Sequence, residues 1–179
     1  MRGVVFTELI EFVESALGFE VADKMIEMSH LDNGGSFSQG GNYPFSHMQK
    51  LLMSLSEITG KDPQELLYTL GEHVFFILVK MYGKNISEIG SALDFIDSVE
   101  NYVHVEVKKL YMDTDLPTFT TTYKDNKNLT IIYQSEKRLE AFAHGLMAAC
   151  GKYFNEELVI EYKTINQSPY QVEFILKKS

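Results

Sequence analysis

Between Val4 and Leu17, apolar residues recur at helical spacing (Val4, Val5, Leu9, Phe12, Val13, Leu17), and Val21, Met25 and Ile26 continue the pattern past Gly18. The spacing predicts two helices over residues 3–29. Residues 31–44, LDNGGSFSQGGNYP, carry no apolar period and read as a Gly/Ser/Asn-rich loop. Met48, Leu51, Leu52 and Leu55 mark one side of a third helix from about Phe45 to Thr59, which Gly60 suits as a C-terminal stop. Asp62-Pro63 opens a fourth helix with a capping acid and a first-turn proline. That helix runs to about Tyr82, is apolar around most of its circumference from Val74 on, and is therefore predicted to be buried. A linker over residues 83–90 leads to a fifth helix, started by Ser91 or Asp94 and ending near Tyr111.

The period then changes from helical to alternating. Phe119–Tyr123 and Leu129–Gln134 flank the turn DNKN and read as a hairpin. Helical spacing returns over residues 137–152 through Leu139, Phe142, Ala143, Leu146, Met147 and Cys150. Leu158–Thr164 and Tyr170–Leu176, separated by NQSP, complete a helices-then-ββαββ order. This is an α+β pattern: a helical N-terminal half packed with a C-terminal four-stranded antiparallel sheet plus helix. The chain of 179 residues is read as a single domain.

Composition narrows the function classes. Lys plus Arg is 16 against 25 Asp plus Glu, a net charge of −9, which disfavours nucleic acid and anionic membrane surfaces as partners. The single cysteine, Cys150, cannot form an internal disulfide or a Cys-based zinc or iron–sulfur site. Glu8, Glu11 and Glu14 interrupt the first apolar run, so the N-terminus does not read as a signal peptide. The longest apolar stretch, Val74 to Val79, is far shorter than a membrane span, and the expected location is cytoplasmic.

Three features carry candidate chemistry. His104 lies inside the fifth helix with Ile96, Glu100, Val103, Val107, Lys108 and Tyr111 as turn neighbours, a position open to either a core histidine or a metal ligand. Tyr133-x-Ser135-x-Lys137 ends the hairpin's second strand. In an extended segment these side chains share a face, giving two hydroxyls and an ammonium suited to carboxylates or phosphates, although a solvated edge strand would have the same pattern. Leu116-Pro117-Thr118-Phe119 marks the passage from helix to strand, where proline fixes φ and removes a donor.

At these residues the chain resembles the H-NOX domains, the haem nitric oxide/oxygen-binding family. HVEVKKLYMDTDLPTF (104–119) is similar to the family's proximal-histidine segment, YQSEK (133–137) to its Tyr-x-Ser-x-Arg propionate motif, and MRGVVFTEL to its N-terminus. The separations match along essentially the whole chain. The resemblance implies a stand-alone bacterial-type domain with a haem-binding pocket, an N-terminal helical subdomain over residues 1–60 and a haem-bearing subdomain over 61–179. It implies haem b as cofactor, His104 as the proximal iron ligand, Tyr133 and Ser135 on the propionates, and Pro117 pressing on the macrocycle. Lys137 stands where the family has Arg, and it replaces a planar two-pronged donor with a point charge; Arg138 is its immediate neighbour.

The resemblance also places Phe142 where dioxygen-binding members carry a distal tyrosine, with Leu9 and Val74 as supporting positions and Val5 and Leu146 as further pocket residues. None donates a hydrogen bond, which favours NO and CO over polar Fe–O₂. The implied function is a gas sensor, not an enzyme. The haem fold is expected to use all of the chain, so signalling passes to a separate protein, a histidine kinase or a cyclic-di-GMP enzyme by resemblance. The alternatives are a peroxidase-like haem enzyme, which needs a distal acid–base group, and a haem-free interaction module. His30, His47, His73 and His144 are read as structural or solvated, Cys150 as a small buried hydrophobe, and the 8 methionines as gap-fillers.

Overall fold

The computed structural model describes all residues except 83–85, 87, 88 and 113, together with the side chain of residue 82. Most of the predicted 83–90 linker therefore lies outside the described residues, although Ile86 is buried. The chain order is α1 (Gly3–Leu17), α2 (Phe19–Met28), α3 (Phe45–Thr59), α4 (Pro63–Tyr82), α5 (Ala92–Ser98), a π-turn (Val99–Val103), α6 (His104–Leu110), β1 (Thr118–Lys124), β2 (Asn128–Gln134), α7 (Glu140–Tyr153), β3 (Leu158–Gln167) and β4 (Tyr170–Lys178). The α+β expectation holds: the strands form one antiparallel sheet ordered β1-β2-β4-β3.

Local chemistry accounts for most of the boundaries. Gly60 ends α3 in the left-handed region at φ 71°, where L side chains are strained. The Asp62 carboxylate accepts the Gln64 N–H at 2.8 Å at the start of α4, and Ser91 Oγ accepts the Asp94 N–H at 3.1 Å at the start of α5. α1 has no side-chain cap, and the glycine-rich loop serves instead: the Gly41 and Gln39 carbonyls accept the Gly3 and Val4 N–H groups. The Met1 α-ammonium donates to the Tyr43 carbonyl at 2.6 Å, and Phe6, Phe37 and Tyr43 pack ring to ring beneath it. An apparently featureless loop thus fixes the first residues of the chain.

The two central strands alternate cleanly. Leu129, Ile131 and Tyr133 on β2 and Tyr170, Val172, Phe174 and Leu176 on β4 face inward, each such side chain contributing about 1.5–3 kcal/mol by burial. With α5 and α7 they form one core. A second core joins α1, α2, α3 and the first half of α4, through Phe6, Leu9, Met25, Leu51, Leu70 and Val74. Adjacent residues Val74 and Phe75 belong to different cores, so α4 runs through both. α7 does the same through Ala141 and Ala143.

α4 and α7 cross with their backbones touching. A Cβ on Gly145 would overlap the Tyr68 carbonyl oxygen, and one on Gly71 would overlap the Phe142 carbonyl oxygen. Only glycine fits on either side of this crossing.

Three expectations need correction. The second half of α4 is not buried all round: Phe76 and Met81 are 46% and 42% exposed, because only one side of the helix meets the sheet-side core. The fifth helix is interrupted by the π-turn, closed by the His104 N–H on the Val99 carbonyl. The helix expected from residue 137 starts at Glu140, because Ser135–Leu139 makes the turn out of the sheet, with Arg138 at φ 52°.

Candidate functional site

A cavity of about 260 Å³ lies where the two cores meet the proximal segment 104–119. α1 supplies Val4 and Val5, α4 supplies Phe75, Leu78 and Val79, and α7 supplies Phe142, Leu146, Met147 and Cys150. None of these carries a hydroxyl, amide or ring N–H. α6 supplies His104 and Val107, and the segment leading to β1 adds Thr114, Leu116 and Pro117. His47, His73 and His144 stay out of the lining, so His104 is the imidazole of this cavity.

His104 is 8% exposed. Its Nδ1 is 3.0 Å from Glu100 Oε2, and its ring lies against Phe119 at 5.6 Å. Burial holds the imidazole below its ordinary pKa, the Glu100 hydrogen bond opposing this. The neutral form, which can coordinate a metal, is therefore favoured. With Nδ1 engaged by the carboxylate, Nε2 is the nitrogen left for a ligand.

The polar end of the cavity is built by Tyr133, Ser135, Lys137, Thr114 and the first two residues of the chain. Tyr133 is the only one of its motif within β2. Ser135 lies just past the strand and Lys137 in the turn, so the shared face expected from period two is replaced by a curl that brings all three to one cavity. Tyr133 Oη accepts the Leu139 N–H at 3.1 Å, and burial pushes its phenol up. Lys137 Nζ binds the Asp115 carboxylate at 2.6 Å and the Asp115 carbonyl at 2.7 Å, fastening the Pro117 segment to the motif. Arg138 turns away and lies over the Tyr170 ring at 4.5 Å, outside the lining.

The Met1 α-ammonium and Arg2 add positive charge at this end. Burial, and then the nearby Lys137, lowers the pKa of the amine. The Thr114 hydroxyl is buried without a hydrogen-bond partner among the described residues. An apolar slot with one buried imidazole and a cationic, hydroxyl-bearing end fits a flat apolar macrocycle that carries a metal at its centre and two carboxylates at its edge.

Not every expected pocket residue is there. Val5, Phe142, Leu146, Pro117, His104, Tyr133, Ser135 and Lys137 line the cavity, whereas Leu9 and Val74 do not. Both are fully buried in the core against which Phe142 packs, so they back the wall without forming it. Phe75, one residue from Val74, takes the lining position because the 100° helical step turns it to the sheet side.

Two of the histidines read as structural or solvated pair with carboxylates. His73 Nε2 is 3.2 Å from the buried Glu8 carboxylate, and His47 Nε2, itself buried, is 3.1 Å from Asp32. The former joins α4 to α1. Among the described residues no group of three or more His, Cys, Asp or Glu is placed to hold a metal ion, and no helix is long and apolar enough to cross a membrane.

Fold and cavity together define a haem domain of the gas-sensing type. The haem-NO-binding family model matches residues 2–162, and the chain belongs to that family, whose cofactor is haem b. Among solved structures, the Fe(II) unliganded H-NOX protein of K. algicida is 36% identical at a TM-score of 0.94, covering 100% of this chain and 97% of that one. The H-NOX of Shewanella woodyi in the Fe(II)CO state is 28% identical at a TM-score of 0.83, covering 100% and 95%. The S. oneidensis H-NOX in the Fe(II)NO state, at 19% identity, shares the fold with a TM-score of 0.90 over 100% and 99% of the two chains. No curated protein sequence matches the chain.

Proposed function

We propose that the protein senses nitric oxide at a ferrous haem b held through His104, and signals to a separate partner when the His104 bond is lost. The observation that carries this reading is the contrast within one cavity. Among the described residues it has a single buried imidazole, on α6, and the lining side chains from α1, α4 and α7 can donate no oxygen- or nitrogen-based hydrogen bond.

A haem held by His104 would supply an iron able to bind a diatomic gas. Val5, Phe142 and Leu146 surround that ligand with apolar surface. Bound O₂ draws negative charge and needs a donor, whereas NO and CO need none. Tyr133, Ser135 and Lys137 would hold the haem propionates, and Lys137 fastens the Pro117 segment by way of Asp115. Among the described residues the same apolar wall offers no acid–base group for peroxide cleavage, which favours a sensor over a peroxidase-like enzyme.

Loss of the His104 bond would free α6, and with it the Pro117 segment, to shift in the cavity. On the proposed division at residue 60, Val4 and Val5 fall in the N-terminal subdomain (1–60) and His104, Pro117 and Tyr133 in the remainder (61–179), and all five line the cavity. Relaxation therefore turns one part against the other between two packings, and a partner responds only if it binds those packings with different affinity. The resemblance points to a histidine kinase or a cyclic-di-GMP enzyme as that partner.

The test compares the ferrous, CO-bound and NO-bound forms by resonance Raman and by their effect on such a partner. NO should abolish iron–His104 ligation and switch the partner, while CO should retain the bond and leave the partner in its unliganded state. Equal regulation by CO and NO would rule out bond loss as the trigger.

A further inference from the structure

Glu100 is in the π-turn immediately before α6, and its Oε2 serves two donors. The His104 ring is at 3.0 Å through Nδ1, and the Phe119 backbone N–H, at the start of β1, also at 3.0 Å. The carboxylate is three-quarters shielded from water, with its side chain 25% exposed. Because the strand amide and the imidazole grip the same oxygen, Glu100 cannot swing into solvent without leaving both donors unpaired. The bond to His104 is thereby held in one geometry, in a partly desolvated setting where a charge-assisted hydrogen bond is strong.

We propose that Glu100 is a positioning residue that sets the strength of the His104–iron bond, and with it the threshold at which a ligand breaks that bond. The inference rests on the haem reading of His104. A carboxylate accepting the Nδ1–H of a metal-bound imidazole pulls proton density toward itself. It makes the ring a stronger donor and fixes which nitrogen faces the metal. The stronger donor favours the ferric over the ferrous state and resists displacement by a ligand on the opposite face. Through the Phe119 amide the same oxygen connects α6 to the sheet, so movement of His104 is passed to β1 by one shared acceptor.

Glu100→Gln keeps an acceptor oxygen for both donors and removes the charge; Glu100→Ala removes the acceptor. In the ferrous holoprotein the iron–histidine stretching band should move to lower frequency in Glu100→Gln and further in Glu100→Ala. The reduction potential should rise in the same order. Haem transfer to excess apomyoglobin should be faster by about 10- to 100-fold in Glu100→Ala, the usual cost of losing such a partner.

Amide exchange at Phe119 should stay at the parent rate in Glu100→Gln, which separates the loss of charge from a structural change. If Glu100→Ala does not fold, Glu100→Gln alone decides. An unshifted stretching band and potential in Glu100→Gln, with His104 still bound, would overturn the proposal. A parent band that survives in His104→Gly would instead overturn the haem ligation on which it depends.

Discussion

The α4–α7 crossing makes a quantitative demand on Gly145. Replacing it with alanine places a methyl group on the Tyr68 carbonyl oxygen, with the Tyr68 carbonyl carbon at 2.9 Å and the Glu72 amide nitrogen at 3.0 Å. All three are backbone atoms inside a helix, so no side chain can rotate out of the way and the helices must separate. Overpacking of this kind costs about 1–3 kcal/mol, and a backbone obstacle puts it at the upper end. Against this, Gly→Ala in a helix interior gains about 1 kcal/mol in propensity.

The net expectation is a loss of about 1–2 kcal/mol, which for a chain of this size lowers Tm by roughly 2–8 °C. The displacement also reaches the cavity, since Phe142 and Leu146 flank Gly145 on α7 and both line it. Thermal melting of the holoprotein, followed by circular dichroism and by haem absorbance, is the assay. Gly145→Ala melting at or above the parent temperature with an unchanged haem spectrum would refute the close crossing.

Three further outcomes are expected. The ferrous parent should remain unliganded in air while binding NO and CO, and Phe142→Tyr should create a measurable oxygen complex by adding a hydroxyl to the cavity wall; absorption spectra in air decide both. Tyr133→Phe leaves the buried Leu139 N–H without its acceptor and should cost about 1–3 kcal/mol in denaturant unfolding, besides loosening haem retention. Burial between the Tyr68 and Tyr162 rings lowers the pKa of His144 from its ordinary 6.5, so its contribution to stability is present above pH 6.5 and is lost as pH falls through the depressed folded value. His144→Phe should flatten the acid side of the stability curve, measured by urea unfolding from pH 7 to pH 5.

The elements were legible where one periodicity ruled. β2 and β4 alternate because one face of the sheet is buried, and α3 begins and ends where its apolar stripe and Gly60 placed it. That His104, Pro117, Tyr133 and Ser135 share one cavity was legible by resemblance, from their types and separations. What escaped was non-local. The curl of Ser135–Leu139 depends on α7 having to leave the sheet, which strand alternation cannot register. Leu9 and Val74 have the apolar character of a pocket wall, yet the 100° helical step decides that Phe75 faces the cavity and Val74 does not. The pairs Glu8–His73 and Lys137–Asp115 are 65 and 22 residues apart in sequence and have no local signature. Glu100 was within reach of the sequence, four residues before His104 on one helical face. Its second donor, the Phe119 amide, was not, because it comes from the strand that packs beside the π-turn.

Ligation of a haem iron by His104 as its one protein ligand is the proposal on which the sensing mechanism turns. It is tested most directly by the absorption and resonance Raman spectra of ferrous His104→Gly, purified with and without imidazole. The expected result is a haem protein only when imidazole is supplied, with an iron–imidazole band in place of the parent band and no oxygen complex in air. A variant that keeps the parent ferrous spectrum without imidazole would contradict it, because another residue would then be the ligand.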